Sequence, residues 1–136
     1  MKNNTVNGKS VLVVDDDESI REVFQTLLLS EGFSVETAEN GRQAIEKAKE
    51  ARFDIALLDI VLPDIRGDQV AVEIKKHDDS VRIIFITGYP SFQDCIDALD
   101  IGVSEILMKP VTSEELLTSI NQALFASSPE AESLVH

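Results

Sequence analysis

The stretch Ser10-Val11-Leu12-Val13-Val14-Asp15-Asp16-Asp17-Glu18 decides the fold class, because an aliphatic run stops abruptly at consecutive carboxylates. A strand with one wet face alternates apolar and polar residues. A run without alternation predicts a strand covered on both faces, as in a parallel sheet. Beyond residues 10–14, short runs recur at 33–37, 54–58, 82–86 and 105–108. The run at 33–37 differs, with Phe33, Val35 and Thr37 alternating with polar neighbours as an edge strand would.

Amphipathic segments separate these runs. Ile20, Val23, Phe24, Leu27 and Leu28 recur at helical spacing, and Gly32 stands where a C-terminal cap belongs. Ala44, Ile45 and Ala48 follow Asn40-Gly41, and Val70, Val72 and Ile74 mark a third helix running to Lys76. Phe92, Ile96 and Leu99 mark a fourth, ended by Gly102. Leu116, Leu117, Ile120 and Leu124 mark the last, with Thr112 or Ser113 as N-cap and Glu115 in its first turn. Five such β-α units predict a doubly wound α/β sandwich over residues 9–125. Residues 1–8 form a polar N-terminal extension, and 126–136 read as a tail or the start of a linker.

A chain of 136 residues fits one domain, and 43% apolar residues suffice for a core. The formal charge of −13 argues against direct binding to nucleic-acid phosphates or anionic membranes, while it favours a cation. The apolar runs are too short to span a bilayer, so the cytoplasm is the expected location. Cys95 is the only cysteine, so no intramolecular disulfide can form; it reads as a packing residue of the fourth helix. His77 and His136 lack the companions of a zinc site.

Open α/β sheets bind ligands beyond the carboxyl ends of their strands. Asp15, Asp16 and Asp17 follow the first strand, Asp59 the third, Thr87 the fourth and Lys109 the fifth. Two carboxylates 4 Å apart repel by about 4 kcal/mol at an effective dielectric of 20, so the cluster calls for a cation. Oxygen-only ligands with open positions suit Mg2+ (or Mn2+), beside which an ionised carboxylate can act as a nucleophile toward phosphorus. Thr87 and Lys109 would then hold the phosphoryl oxygens. Asp17 also reads as the N-cap of the first helix. Gly67, Gly88 and Pro63-Asp64 read first as turn and loop signals.

The segments Val13-Val14-Asp15-Asp16-Asp17-Glu18-Ser19-Ile20-Arg21, Leu58-Asp59 with Leu62-Pro63-Asp64 and Gly67, Ile86-Thr87-Gly88 and Met108-Lys109-Pro110 resemble, in order and spacing, the receiver domain of two-component response regulators. The resemblance runs from about residue 9 to 124. It implies a five-stranded parallel sheet in the order 2-1-3-4-5 flanked by five helices, a flavodoxin-like receiver fold. It makes Asp59 the phosphoacceptor, with Asp15, Asp16, Asp59 and the Val61 backbone carbonyl as metal ligands. Thr87 becomes the switch hydroxyl and Lys109 the ion-pair partner, and the bond to Pro110 is implied to be cis.

This chain also departs from the receiver pattern. Ile106 stands where receivers commonly carry an aromatic switch residue. Val61 and Tyr89 stand where acidic or amide side chains could orient an attacking water. These departures imply a long-lived aspartyl phosphate, accessible past Gly88 and partly covered by Tyr89. By the same resemblance, a sensor histidine kinase or histidine phosphotransfer protein supplies the phosphoryl group. The output is altered binding of a downstream protein, or a phosphorylation-dependent homodimer, through the fourth helix, fifth strand and fifth helix, including Asp97, Asp100, Glu105 and Glu114. Such a domain is not an enzyme in the ordinary sense, although it takes part in its own phosphorylation. The alternative is a Mg-dependent phosphohydrolase of the haloacid dehalogenase type using Asp15 and Asp17. It is weaker, because no acidic pair follows a strand after Lys109 and the chain is short for a cap.

Overall fold

In a computed structural model, which describes residues 8–125, strands and helices alternate from end to end. The strands are β1 (Ser10–Val14), β2 (Ser34–Ala38), β3 (Ile55–Leu58), β4 (Arg82–Thr87) and β5 (Glu105–Met108). The helices are α1 (Glu18–Ser30), α2 (Gly41–Glu50), α3 (Gly67–His77), α4 (Phe92–Ile101) and α5 (Ser113–Phe125). All strand pairs are parallel, in one sheet ordered β2-β1-β3-β4-β5, so the expected doubly wound, flavodoxin-like receiver architecture holds. β2 is an edge strand, as its alternation predicted.

The unbroken aliphatic runs work because successive side chains point to opposite faces and both faces are covered. Leu12, Val14, Ala56, Leu58, Ile83 and Phe85 face one layer, where Ala44, Val70, Ala71, Ile74 and Ala98 of α2, α3 and α4 meet them. Val11, Val13, Ile55, Leu57, Ile84 and Ile86 face the other, against Leu28 of α1 and Leu116 and Ile120 of α5. Each fully buried aliphatic side chain contributes about 1.5–3 kcal/mol relative to exposure, so this double layer dominates the stability.

Helix ends follow the local chemistry. The Asp17 carboxylate accepts from the Ser19 and Ile20 N–H groups, capping α1. Gly32 (φ 100°) and Gly102 (φ 87°) take left-handed conformations at the ends of α1 and α4. At α5 the Glu115 N–H donates to Thr112 Oγ1 (3.0 Å) and the Thr112 N–H to Glu115 Oε1 (2.9 Å), a reciprocal box that settles Thr112 as the cap.

Helix faces depart from the pattern more than helix positions do. Phe92 (82% exposed) and Leu99 (80%), predicted to mark the inner face of α4, point to solvent. Ala98 is the residue buried there, with Ile101 packed beside it. α4 carries apolar residues on more than one side, and periodicity cannot choose between them. Cys95 is exposed, so it is not the packing residue expected. Val23 and Val72 also lie outside the core, and on α3 the buried residues are Gly67, Val70, Ala71 and Ile74. Among the described residues, no helix is long and apolar enough to cross a membrane.

Candidate functional site

Strand order reverses between β1 and β3, which pair directly while their crossovers leave in opposite directions. The register sets Val14 beside Leu58, so the next residues, Asp15 and Asp59, emerge side by side at that switch point. The Asp59 N–H donates to the Val14 carbonyl (3.0 Å) and the Asp15 N–H to the Ala38 carbonyl (3.2 Å), extending the sheet under both carboxylates. On the other side Leu58 pairs with Phe85 and Thr87 pairs with Met108. Thr87, 2% exposed, therefore ends β4 at the same edge where Lys109 follows β5.

The side chains converge as that register requires. Lys109 Nζ lies 2.8 Å from Asp15 Oδ2 and 2.8 Å from Asp59 Oδ2. One carboxylate oxygen from each of Asp15, Asp16 and Asp59 falls within 4.8 Å of the others. Asp15 and Asp59 are buried while Asp16 is exposed, so the cluster is closed below and open above. The Asp17 N–H donates to Asp15 Oδ1 (2.9 Å) and the Val61 N–H to Asp59 Oδ1 (3.0 Å), orienting both carboxylates. Burial pushes the Asp15 carboxyl up, and Lys109 and the Asp17 N–H only partly offset this. For Lys109, desolvation acts downward, but the Asp15 and Asp59 carboxylates outweigh it and raise the ammonium. A hard divalent cation fits this donor set, since three carboxylates served by one lysine retain negative charge and open lone pairs.

Other predicted residues hold simpler positions. The Lys109–Pro110 peptide is cis, as expected. Ile106 is half-buried against the α2–α3–α4 layer. A Cβ on Gly88 would meet nothing within 4 Å, and Tyr89 is 94% exposed, resting on little of the protein surface. Asp17 is committed to its cap, with Ser19 Oγ donating to it first and the Ile20 N–H next, which holds its carboxyl below the usual range. That commitment removes support from the hydrolase alternative, which needs Asp17 as a proton donor.

Sequence reasoning missed several supporting residues. Arg21 Nη1 donates to the Asp15 carbonyl (2.8 Å), pinning the acidic loop to α1; its place one turn after the N-cap was the available signal. Gly67 serves close packing against the backbone of Asp59 and Ile60, not turn chemistry. Asp64, taken as a loop residue, accepts from the Gly41 N–H (2.8 Å) and Arg42 N–H (2.9 Å) at the start of α2. Arg66 bridges Asp68 (3.1 Å) and Asp94 (2.7 Å), tying the start of α3 to the first turn of α4. Asp94 also completes a capping box with Ser91.

The response regulator receiver domain family matches residues 11–121. The chain is 35% identical over 124 residues to the uncharacterized transcriptional regulatory protein YkoG of Bacillus subtilis, covering 91% of this chain and 54% of that protein. It thus spans about half or less of the length of the curated relatives it matches. A CheY-like receiver domain from Methanospirillum hungatei superposes with a TM-score of 0.85 at 32% identity, covering 94% of this chain and 99% of that one. The response regulator TrrA of Thermotoga maritima, solved in complex with Mg2+-BeF, gives a TM-score of 0.77 at 34% identity, over 85% and 99% of the two chains. Sequence, strand order and the carboxylate edge agree: the chain belongs to the response regulator receiver domain family of two-component systems.

Proposed function

We propose that this chain receives a phosphoryl group on Asp59 and thereby changes which proteins it binds. The observation that carries this reading is the pairing of Asp59 with Lys109 at 2.8 Å inside a cluster shared with Asp15 and Asp16. Asp15, Asp16, Asp59 and the Val61 carbonyl would hold Mg2+, or Mn2+ in its place, and the cation supplies charge screening at the transferring phosphorus. An Asp59 carboxylate oxygen attacks the phosphorus of a phosphohistidine on a sensor kinase or phosphotransfer protein. The new O–P bond forms as the P–N bond breaks with its electron pair going to the imidazole nitrogen. The histidine departs as a neutral imidazole that keeps the proton already on its other ring nitrogen. Lys109 lies close enough to stabilise the added charge, and the buried Thr87 hydroxyl can donate to a phosphoryl oxygen.

Residues 9–125 are the unit that does this. Thr87 and Ile106 relay the change to α4, β5 and α5, whose exposed Asp100, Glu105 and Glu114 belong to the output face with Asp97. The output is a downstream protein or a second copy of the chain, reached in the cytoplasm. Val61 and Tyr89 carry no acid or amide to activate water, which supports a persistent aspartyl phosphate, reached past Gly88. The pairing of Val61→Asn with Tyr89→Glu should speed its loss.

Incubation with Mg2+ and a small phosphoryl donor, read by intact mass, tests the central claim. Wild type should gain one phosphoryl group and Asp59→Asn none. Retention of the mass gain in Asp59→Asn would refute the assignment.

A further inference from the structure

A groove of about 560 Å³ opens between α2, α3 and α4. Its floor is aliphatic: Ile45 on α2, Ile65 before α3, Val72 on α3 and Ile101 on α4, with Val72 37% exposed. Carboxylates line both walls, Asp68 and Glu73 on α3 and Asp97 and Asp100 on α4. The two walls are not equivalent. Arg66, shared with Asp94 (2.7 Å), also pairs with Asp68 (3.1 Å), and Lys76 lies 3.5 Å from Glu73, so each α3 carboxylate has a cationic neighbour. On α4, Asp97 accepts from the neutral Gln93 amide (2.9 Å), and among the described residues neither Asp97 nor Asp100 has an ion-pair partner. Uncompensated charge therefore stands along one side of a half-buried apolar strip.

We propose that this groove docks a basic amphipathic helix of a partner protein, with aliphatic side chains in the floor and lysine or arginine against Asp97 and Asp100. A helix laid in a groove buries its apolar face along the strip, and flanking cations fix its direction. Charge argues against other occupants. A second copy brings a further −13 to an acidic wall. Residues 126–136 contain Glu130 and Glu132 and neither lysine nor arginine.

The test titrates the isotopically labelled full chain with a synthetic amidated helical peptide bearing leucines flanked by lysines, followed by NMR. Three proteins are compared: wild type, Asp97→Lys with Asp100→Lys, and Glu18→Lys with Glu22→Lys on α1 as a control of equal charge change. Circular dichroism establishes that each is folded. Saturable shifts centred on Ile65, Val72 and Ile101, with affinity falling about tenfold in the α4 variant and holding in the α1 variant, support the proposal. Equal weakening in both variants means nonspecific attraction to acid and overturns it, as do shifts centred on the Asp15–Asp59 edge. Competition by self-association, or groove resonances that move when residues 126–136 are deleted, overturns it in favour of those occupants.

Discussion

Gly67 packs directly against the backbone of Asp59, leaving no room for a side chain. A Cβ there would stand 2.7 Å from Ile60 Cα and closer still to the Asp59 carbonyl oxygen, while the Gly67 N–H donates to the Ile60 carbonyl at 2.8 Å. The start of α3 is thus pressed onto the strand end that carries the proposed phosphoacceptor. Gly67→Ala should destabilise the protein by about 1–3 kcal/mol through overpacking, and should slow phosphorylation because Asp59 must shift. Urea denaturation and the intact-mass assay measure the two effects. Unchanged stability would mean the contact relaxes freely.

Lys109 is the cation that Asp15 and Asp59 share in this arrangement. Lys109→Met leaves both carboxylates buried without a counter-charge, so metal-free stability should fall by about 1–3 kcal/mol. Mg2+ should then stabilise the variant more than it stabilises wild type, because it answers charge the lysine no longer answers. Thermal melts in chelator and in Mg2+ compare the two; an equal Mg2+ effect in both proteins would contradict this account.

Asp64 reaches across to close the start of α2, where it accepts from two backbone N–H groups. Asp64→Ala should cost about 1 kcal/mol, as the loss of a helix N-cap does. Amide exchange should quicken at Gly41 and Arg42 and leave the start of α5 unchanged.

Asp54 lies at the opposite end of the sheet from the carboxylate cluster, and its side chain is 14% exposed. Burial acts to raise its carboxyl, but the Ser10 N–H and Arg52 outweigh burial and hold it below the usual range. A depressed folded pKa contributes stability that is whole above the unfolded value of about 3.9 and is lost as pH falls through the folded value. The stability gap between wild type and Asp54→Asn should therefore stay flat from neutral pH to about 4 and close below it. A gap that narrows already above about pH 5 would assign it to another group.

Much of the site was legible because its residues are strand ends. All strands of a parallel sheet point their carboxyl ends to one edge, so reading the residue after each aliphatic run collects Asp15, Asp59, Thr87 and Lys109 without any coordinates. The supporting shell was not legible in this way. Arg21, Asp64 and Arg66 act through single contacts with segments whose position depends on how helices lie on the sheet, and no periodicity encodes that.

The amino-acid order alone determined the α/β class, the edge character of β2, the caps at Asp17, Gly32 and Gly102, and the set of residues at the carboxylate edge. These follow from rules one turn or one strand long: covered strands need unbroken aliphatic runs, and helix ends need polar caps or glycine. Tertiary structure alone decided which side of α4 turns inward, why position 67 has no side chain, and where Lys109 divides its charge. Each of those outcomes depends on volume and charge brought together from distant segments. A helix with apolar residues on several sides has no preferred face until its neighbours fill one of them.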